Sequence, residues 1–523
     1  MVRTAWICDD AYITLRTVDN FVNGYGLRWN VAERVQAYTH PLWMFLLAAV
    51  YAITREAFFT TLAVSMIVSI AVVVFLSFRI AGTRLAAAVA VVSLTLSKAF
   101  VEYSTSGLEN PLTHLLLVLF LWVYFRLPTS GRRILLLSLL AAAGMLCRLD
   151  TALLYGPPLA CAFAARGRWR DLGYVAIGLL PWLAWECFSL LYYGSPFPNT
   201  AYAKLGTGIA RIDLLRQGMW YLANSLRWDP LTPLLIVAGM VVPLLTRAWR
   251  QVPVVFGIAL YLCYVVWIGG DFMSGRYLTA PCLGAVCLLS RVEMRHLGSF
   301  MSAWLVVVMA VGFTAERSPL LAGGDSGAKT RQRKDPHGIA DERDHYAHSA
   351  GLIVGLGKAR RGEPIPAHGW AKQGRQTRAM GPLLITRPGI GYFGYFAGPQ
   401  AHIVDLLALA DPLLARLPTM HLKRWRIGHF YRQLPEGYID SLRSGRNLIA
   451  DKRLAMYYDD LVLATRGPLL SRDRLLAIWR LNTAAHARRL ADYIRDHPPA
   501  TDARQATPAP PRLSIKMTRR DPG

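Results

Sequence analysis

CDDAYITLRTVDNFVNGYGLRWNVAERVQAYTHPLW, residues 8–43, precedes a long series of apolar segments and decides how they are read. Behind the adjacent carboxylates Asp9 and Asp10, Ala11, Leu15, Val18 and Val22 recur at helical spacing, with Arg16, Asp19, Asn20 and Asn23 on the other side. The pattern predicts an amphipathic helix of about three turns. Gly24 and Gly26 end it, and a second, more apolar helix begins near Pro41, after the cluster Trp29, Tyr38, Thr39 and His40. A carboxylate at a helix start accepts free backbone N–H groups, which is one use for Asp10. Capping occupies one member of the pair, so Asp9 needs another reason.

The rest of the composition says what surrounds this stretch. Of 523 residues 54% are hydrophobic and only 17% charged, and the mean hydropathy is +0.29. That is the balance of a polytopic membrane protein. The net charge of +25 is spread over short loops and the C-terminal region and forms no nucleic-acid motif. Six of the seven cysteines (Cys147, Cys161, Cys187, Cys263, Cys282, Cys287) lie in apolar segments as small hydrophobes, which indicates neither a disulfide framework nor a zinc site. Met1 to Cys8 is too short for the apolar core of a signal peptide.

After the second helix, 41–54, apolar segments are expected near 58–78, 85–97, 107–126, 134–148, 151–165, 172–193, 231–247, 253–268, 276–290 and 299–315. A bilayer core requires roughly 20 residues, so flanks contribute to the shorter segments and end residues such as Lys98 snorkel to the interface. If 41–54 lies along the membrane without crossing, the loops around Arg79 and Arg84, Arg126–Arg133, Arg166–Arg170, Arg247–Arg250 and Arg291–Arg295 all face inward. This obeys the positive-inside rule, whereas a crossing 41–54 would violate it. The same arrangement gathers YSTSGLENP (103–111), the turn Arg148-Leu149-Asp150, YYGSPFPNTAYAK (192–204), WIGGDFMSGRY (267–277) and the C-terminal region on the side of Asp9. Polar sequences at span ends mark a site.

Beyond 316 the long apolar runs stop. Residues 322–349 read as a linker, and 382–418 as strands and turns leading to a helix. No convincing internal repeat is present.

An acidic pair in an outward, membrane-level loop suits a general base with a carboxylate beside it that orients an acceptor or stabilises oxocarbenium-like charge. A lipid-phosphate leaving group would need cations and donors, and Lys204, Arg276, Arg148 and His40 have that chemistry; each is equally an interfacial anchor. Asn199, Tyr202 and Asp271 are candidate sugar or phosphate contacts, with Asp271 alternatively pairing with Arg276, and Glu109 either binds substrate or favours a helix start. Tyr392, Phe393, Tyr395 and Phe396 are read as core rather than a glycan-stacking platform, and His114 as a satisfied core group. No P-loop, GxGxxG after a strand, HExxH or CxxC pair occurs, so ATP-driven transport and zinc hydrolysis find no support.

DDAYITLR, NGYGLRWN, ERVQAYTHPLW, TSGLENPL, RLD, PNTAYAK and GGDFMSGRYL, with HIVDLLALADPLLAR at 402–416, together resemble the GT-C superfamily of polyprenyl-phosphate-sugar glycosyltransferases. More narrowly they resemble bacterial arabinofuranosyltransferases that add terminal β-(1→2)-arabinofuranose. The resemblance implies an α-helical polytopic membrane bundle with a C-terminal mixed α/β periplasmic domain. Its divisions are expected at 1–57 (periplasmic first loop), 58–315 (about ten spans), 316–484 (periplasmic domain) and 485–523 (disordered basic tail). It implies an inverting, metal-independent transfer needing no cofactor, with decaprenyl-phosphoryl-arabinose as donor substrate and a periplasmic glycan or glycoprotein as acceptor. The setting is the bacterial inner membrane, with membrane lipids and no nucleic acid as partners. The family's catalytic aspartate carries over to Asp9 or Asp10; Asp9 is read as the base and Asp10 as its assistant. The family has a membrane helix before this pair, whereas eight residues precede it here. Another lipid-linked sugar such as mannose, or a lipid-linked-glycan transporter, are the alternative functions.

Overall fold

The computed structural model describes residues 1–292, 297–321, 334–420, 425–498 and 515–516. The opening stretch forms α1 (Asp9–Val22) and α2 (Pro41–Thr54), with Pro41 in the first turn of α2 where a missing N–H costs nothing. Next come α3 (Phe58–Phe75, extended by a π-turn to Ile80), α4 (Arg84–Leu96), the short α5 (Lys98–Tyr103), α6 (Asn110–Arg126), α7 (Gly131–Cys147), α8 (Ala152–Ala164) and α9 (Asp171–Tyr193). They are followed by α10 (Asn199–Leu205), α11 (Arg211–Trp228), α12 (Leu231–Leu245), α13 (Val252–Trp267), α14 (Thr279–Leu289) and α15 (Leu297–Thr314). Each expected apolar segment contains one helix. By length and apolarity, Phe58–Ile80 and Asp171–Tyr193 suffice to cross a membrane, and α11 with α12, bent by 108°, passes the same test as a pair.

The bundle has two unlike ends. At one, Gly82 N donates to Ser290 O at 2.9 Å, Arg291 to Ile80 O at 3.1 Å, and Arg250 to Phe125 O at 3.5 Å, so the arginine-rich loops meet one another. At the other end the first loop, the 103–111 and 267–277 loops and the C-terminal region converge. Lys98 is not a snorkelling residue: it is buried at this second end, paired with Glu102 and, at 3.2 Å, with Asp341, which also binds Arg317 at 2.6 Å.

The C-terminal region comprises α16 (Glu342–Ala350), α17 (Leu352–Arg360), α18 (Gly369–Ala379), a parallel pair β1 (Leu383–Arg387) and β2 (Ala401–Asp405) joined by α19 (Gly391–Ala397), and then α20 (Tyr438–Ser444), α21 (Lys452–Arg466), α22 (Arg472–Leu481) and α23 (Ala484–Asp496). Three readings change. The second half of the expected linker is the folded helix α16, started by Asp341 accepting the Asp344 N–H, and α23 occupies the start of the expected tail. The linker's 322–333 and the tail's 499–514 and 517–523 lie outside the described residues. The segment after β2 closes in a 3₁₀ turn, Leu414–Arg416, where a helix was expected.

α1 differs most from its sequence pattern. Arg16 and Asn20, assigned to a polar face, are 2% and 1% exposed, because α19 packs on Arg16 and the first loop on Asn20, whose amide donates to the Arg28 and Trp29 carbonyls. Arg16 donates to the carbonyls of Trp29 (2.8 Å), Gly394 (2.5 Å) and Ala401 (2.7 Å), with its guanidinium 4.3 Å from the Trp29 ring. A buried cation is stable only when its donors are met, and here carbonyls from two distant parts of the chain meet them.

Candidate active site

The two aspartates that open α1 have different surroundings. Asp9 is buried, and its carboxylate accepts the backbone N–H groups of Gly391 (3.1 Å) and Tyr392 (2.7 Å), the first turn of α19. This fit requires glycine: a Cβ on Gly391 would lie 1.9 Å from the Asp9 carbonyl oxygen. Burial raises the Asp9 carboxyl to about 7 against the pull of those N–H groups, and Asp10 adds to the rise. Asp9 thus binds the C-terminal region to the first loop.

Asp10 is half-buried, and among the described residues its carboxylate has no hydrogen bond and no ion pair. Burial raises its affinity for a proton, Lys204 and then Arg276 oppose this, and Asp271 and Glu109 reinforce it. Lys204, half-buried at the end of α10, likewise lacks a hydrogen bond or ion pair among the described residues. A carboxylate and an ammonium within electrostatic reach of each other, neither bonded among the described residues, are free to act on a third molecule.

Behind Asp10 stands a buried ionic network. Glu109, fully buried ahead of α6, receives Arg148 Nη1 at 2.8 Å and Arg276 Nη2 at 3.0 Å, with His40 Nδ1 3.3 Å away. Burial alone would raise Glu109, but Arg276, His40 and Arg148 hold it well below the usual carboxylate range. Arg148 also forks onto Asp150 and lies 4.6 Å over the Tyr277 ring. Arg276 reaches Asp271 at 3.4 Å, the alternative use foreseen for that residue. His40, lowered to about 4 mainly by burial, has Nε2 2.8 Å from the Thr14 hydroxyl. Among the described residues, Glu109 Oε2 and Arg276 Nε have no hydrogen-bond partner.

Asn199 and Tyr202 take a different place from that expected of substrate contacts. The Asn199 amide donates to the carbonyls of Ala408 (3.0 Å), Leu409 (3.2 Å) and Asp411 (3.0 Å) and accepts from Arg416 at 3.1 Å. The Tyr202 ring lies 4.5 Å under the Arg416 guanidinium. Both residues clasp the C-terminal region. Tyr392 and Phe393 are core residues, at 0% and 1% exposure. His114 is buried against the Phe100 ring at 5.0 Å, but among the described residues neither of its nitrogens has a hydrogen-bond partner, unlike the satisfied group expected.

The sequence reading missed the contribution from beyond residue 330. Glu342, 7% exposed at the start of α16, is raised to about 8 by burial and by Asp10, against Arg426 3.9 Å away. Arg426 donates to Gly338 O at 2.8 Å and stands 5.1 Å from the Phe272 ring, and His429 packs edge-on to that ring at 4.4 Å. No motif marks these residues; the one available signal was an acidic helix start within a supposed linker. Among the described residues, no group of three or more His, Cys, Asp or Glu side chains is placed to hold a metal ion. A cavity of about 220 Å³ lies elsewhere, lined by Leu417, Gln433, Asp451 and Tyr493 among others and by none of the residues around Asp10.

A mostly helical chain with apolar helices, carrying a buried charged site where its loops and C-terminal region meet, has the architecture of a membrane enzyme. Comparison with known proteins makes this specific. The chain is similar to two curated proteins, each named terminal beta-(1->2)-arabinofuranosyltransferase. The one from Mycobacterium tuberculosis is 28% identical over 83% of this chain and 82% of the relative. The one from Corynebacterium glutamicum is 26% identical over 65% of this chain and 55% of the relative, so the chain spans about half the length of that protein. The likeness supports a glycosyltransferase enzyme. No family model and no solved structure matches the chain.

Proposed function

We propose that this protein is an inverting glycosyltransferase of the bacterial inner membrane that moves D-arabinofuranose from a polyprenyl-phosphate donor to a periplasmic glycan or glycoprotein. The observation that carries the reading is an Asp10 carboxylate without a hydrogen bond or ion pair among the described residues, under the electrostatic influence of Lys204, within a chain similar to arabinofuranosyltransferases. Asp10 takes the proton from the acceptor hydroxyl as that oxygen attacks the anomeric carbon. The leaving lipid phosphate gathers negative charge as the bond breaks, and Lys204 with Arg276 neutralises it where water is scarce. Glu109 and Arg148 hold Arg276 in place, His40 positions Glu109, and Asp9 holds the roof of the site. Asp271 orients Arg276, while Asn199 and Tyr202 act through the fold. The first loop, the polar span ends and the C-terminal region then face the periplasm.

Purified protein in lipid nanodiscs, given decaprenyl-phosphoryl-arabinose and an arabinan acceptor, is expected to release decaprenyl phosphate and lengthen the acceptor by one pentose. Transfer from the mannose-linked donor at equal or greater rate would reassign the sugar. Donor binding without any transfer to a panel of glycans and glycoproteins, with movement of the lipid between leaflets, would replace the transferase by a transporter.

A further inference from the structure

One helix of the C-terminal region is amphipathic in the unexpected sense. In α22 the protein-facing side is Arg474, Ala477 and Ile478, at 0%, 0% and 6% exposure. The outward side, at positions i, i+3, i+4 and i+7, is Arg472, Leu475, Leu476 and Trp479. Leu475 is 39%, Leu476 42% and Trp479 63% exposed. The preceding turn adds Leu469 at 43% and Leu470 at 74%. Adjacent exposed apolar residues on a rigid hairpin tip call for a partner, whereas scattered ones do not.

The neighbours of this tip identify the partner. Arg474 donates from inside the hairpin to Ala464 O (2.8 Å) and Leu469 O (2.7 Å), and to Tyr192 O (2.9 Å) at the end of α9. Asn482 donates to Gly194 O at 2.9 Å, and a Cβ on Gly194 would meet Ile478 at 3.4 Å. The tip is thereby clamped to the end of α9, one of the two helices long and apolar enough to cross a membrane, whose own last turns expose Leu190 (36%) and Leu191 (48%), followed by Phe197 (49%). Exposed apolar residues thus stand on both sides of the clamp. A tryptophan at the end of a span, with an arginine whose stem can lie along the apolar surface, is the composition of a bilayer interface.

We propose that the α21–α22 hairpin tip, through Leu469, Leu470, Leu475, Leu476 and Trp479, is seated in the interfacial layer of the bilayer that α9 crosses. This rests on the membrane placement of α9 and not on the sugar chemistry. It makes the C-terminal region a peripheral membrane module as well as a roof over Asp10. Shallow insertion of an apolar helix face with its polar side turned inward is a known mode of surface binding.

The full chain in lipid nanodiscs tests this through nitroxide labels in a Cys161→Ala, Cys187→Ala, Cys263→Ala background, at Leu470→Cys, at Trp479→Cys and, for comparison, at the exposed Arg446→Cys. A protein retaining Cys187 alone among the exposed cysteines reports on α9 itself. Relaxation by oxygen, which partitions into lipid, relative to a water-soluble nickel complex should be several-fold higher at 470, 479 and 187 than at 446. Nickel access at 470 and 479 equal to that at 446, with 187 still in lipid, would overturn the proposal and leave the span intact. Shielding of 470 and 479 from both agents would overturn it in favour of a protein contact, such as a second copy of the chain. Nickel access at 187 would remove the span and the proposal together.

Discussion

Glu109 and Asp10 are carboxylates of one site with opposite surroundings. Glu109 is fully buried yet held ionised by Arg276, His40 and Arg148, so its charge is spent on architecture. Asp10 is half-buried, makes no bond within the described chain and is pushed toward its neutral form. Ion pairing within the chain identifies the scaffold, and the unmet carboxylate identifies the group left for substrate. Asp9 falls on the scaffold side of this contrast although it is the sequence neighbour of Asp10.

The largest expected effect is at Asp10. Asp10→Asn keeps the size and removes the proton acceptor, and turnover should fall by about 10²–10⁴-fold, the usual range for a general base, with donor affinity and thermal stability unchanged. A fall in stability matching the fall in turnover would merge the two classes. Glu109→Ala, by contrast, should act on the fold. It leaves two buried guanidiniums without their shared partner, which costs about 3–5 kcal/mol and is read as a lowered Tm of purified protein. Gly391→Ala should also destabilise, because the new methyl meets the Asp9 carbonyl, and limited proteolysis should then release the C-terminal region sooner.

Smaller effects sharpen the contrast. Lys204→Met removes the strongest charge holding Asp10 ionised. The acid limb of the rate profile, already above the ordinary aspartate value of about 3.9, should move further up, with KM for the lipid donor rising about tenfold, the equivalent of one charge-assisted hydrogen bond. An unmoved limb would detach Lys204 from Asp10. Asp9 should leave its mark on stability. Its folded-state carboxyl titrates near 7, above its unfolded value, so its favourable contribution is complete below about pH 3.9 and is lost as pH rises through 7. Asp9→Asn should flatten that part of the stability curve measured by thermal unfolding across pH 4 to 8.

Local pattern made much of this legible and distance hid the rest. The helix at 41–54 and the apolar segments follow from Pro41 and from runs of apolar residues, which are properties of neighbouring positions. Asp9 and Gly391 are 382 residues apart, and nothing near Asp9 signals that a helix start will descend on it. The packing of α19 on α1 likewise converts Arg16 from a solvated face into a buried one. Glu342 was hidden by its setting, since a polar stretch after the last apolar helix has the composition of a linker whether or not it folds back. Asn199 misled for the opposite reason, because a conspicuous polar motif beside a span end serves here to tie two parts of the chain together.

The most direct test sets the two neighbouring aspartates against each other. Asp9→Asn and Asp10→Asn proteins, matched for the fraction folded and saturated with donor, are compared in single-turnover transfer at a temperature well below either Tm. The account predicts that Asp10→Asn forms almost no product while Asp9→Asn retains most of the wild-type rate. Loss of transfer in Asp9→Asn with retention in Asp10→Asn would contradict it.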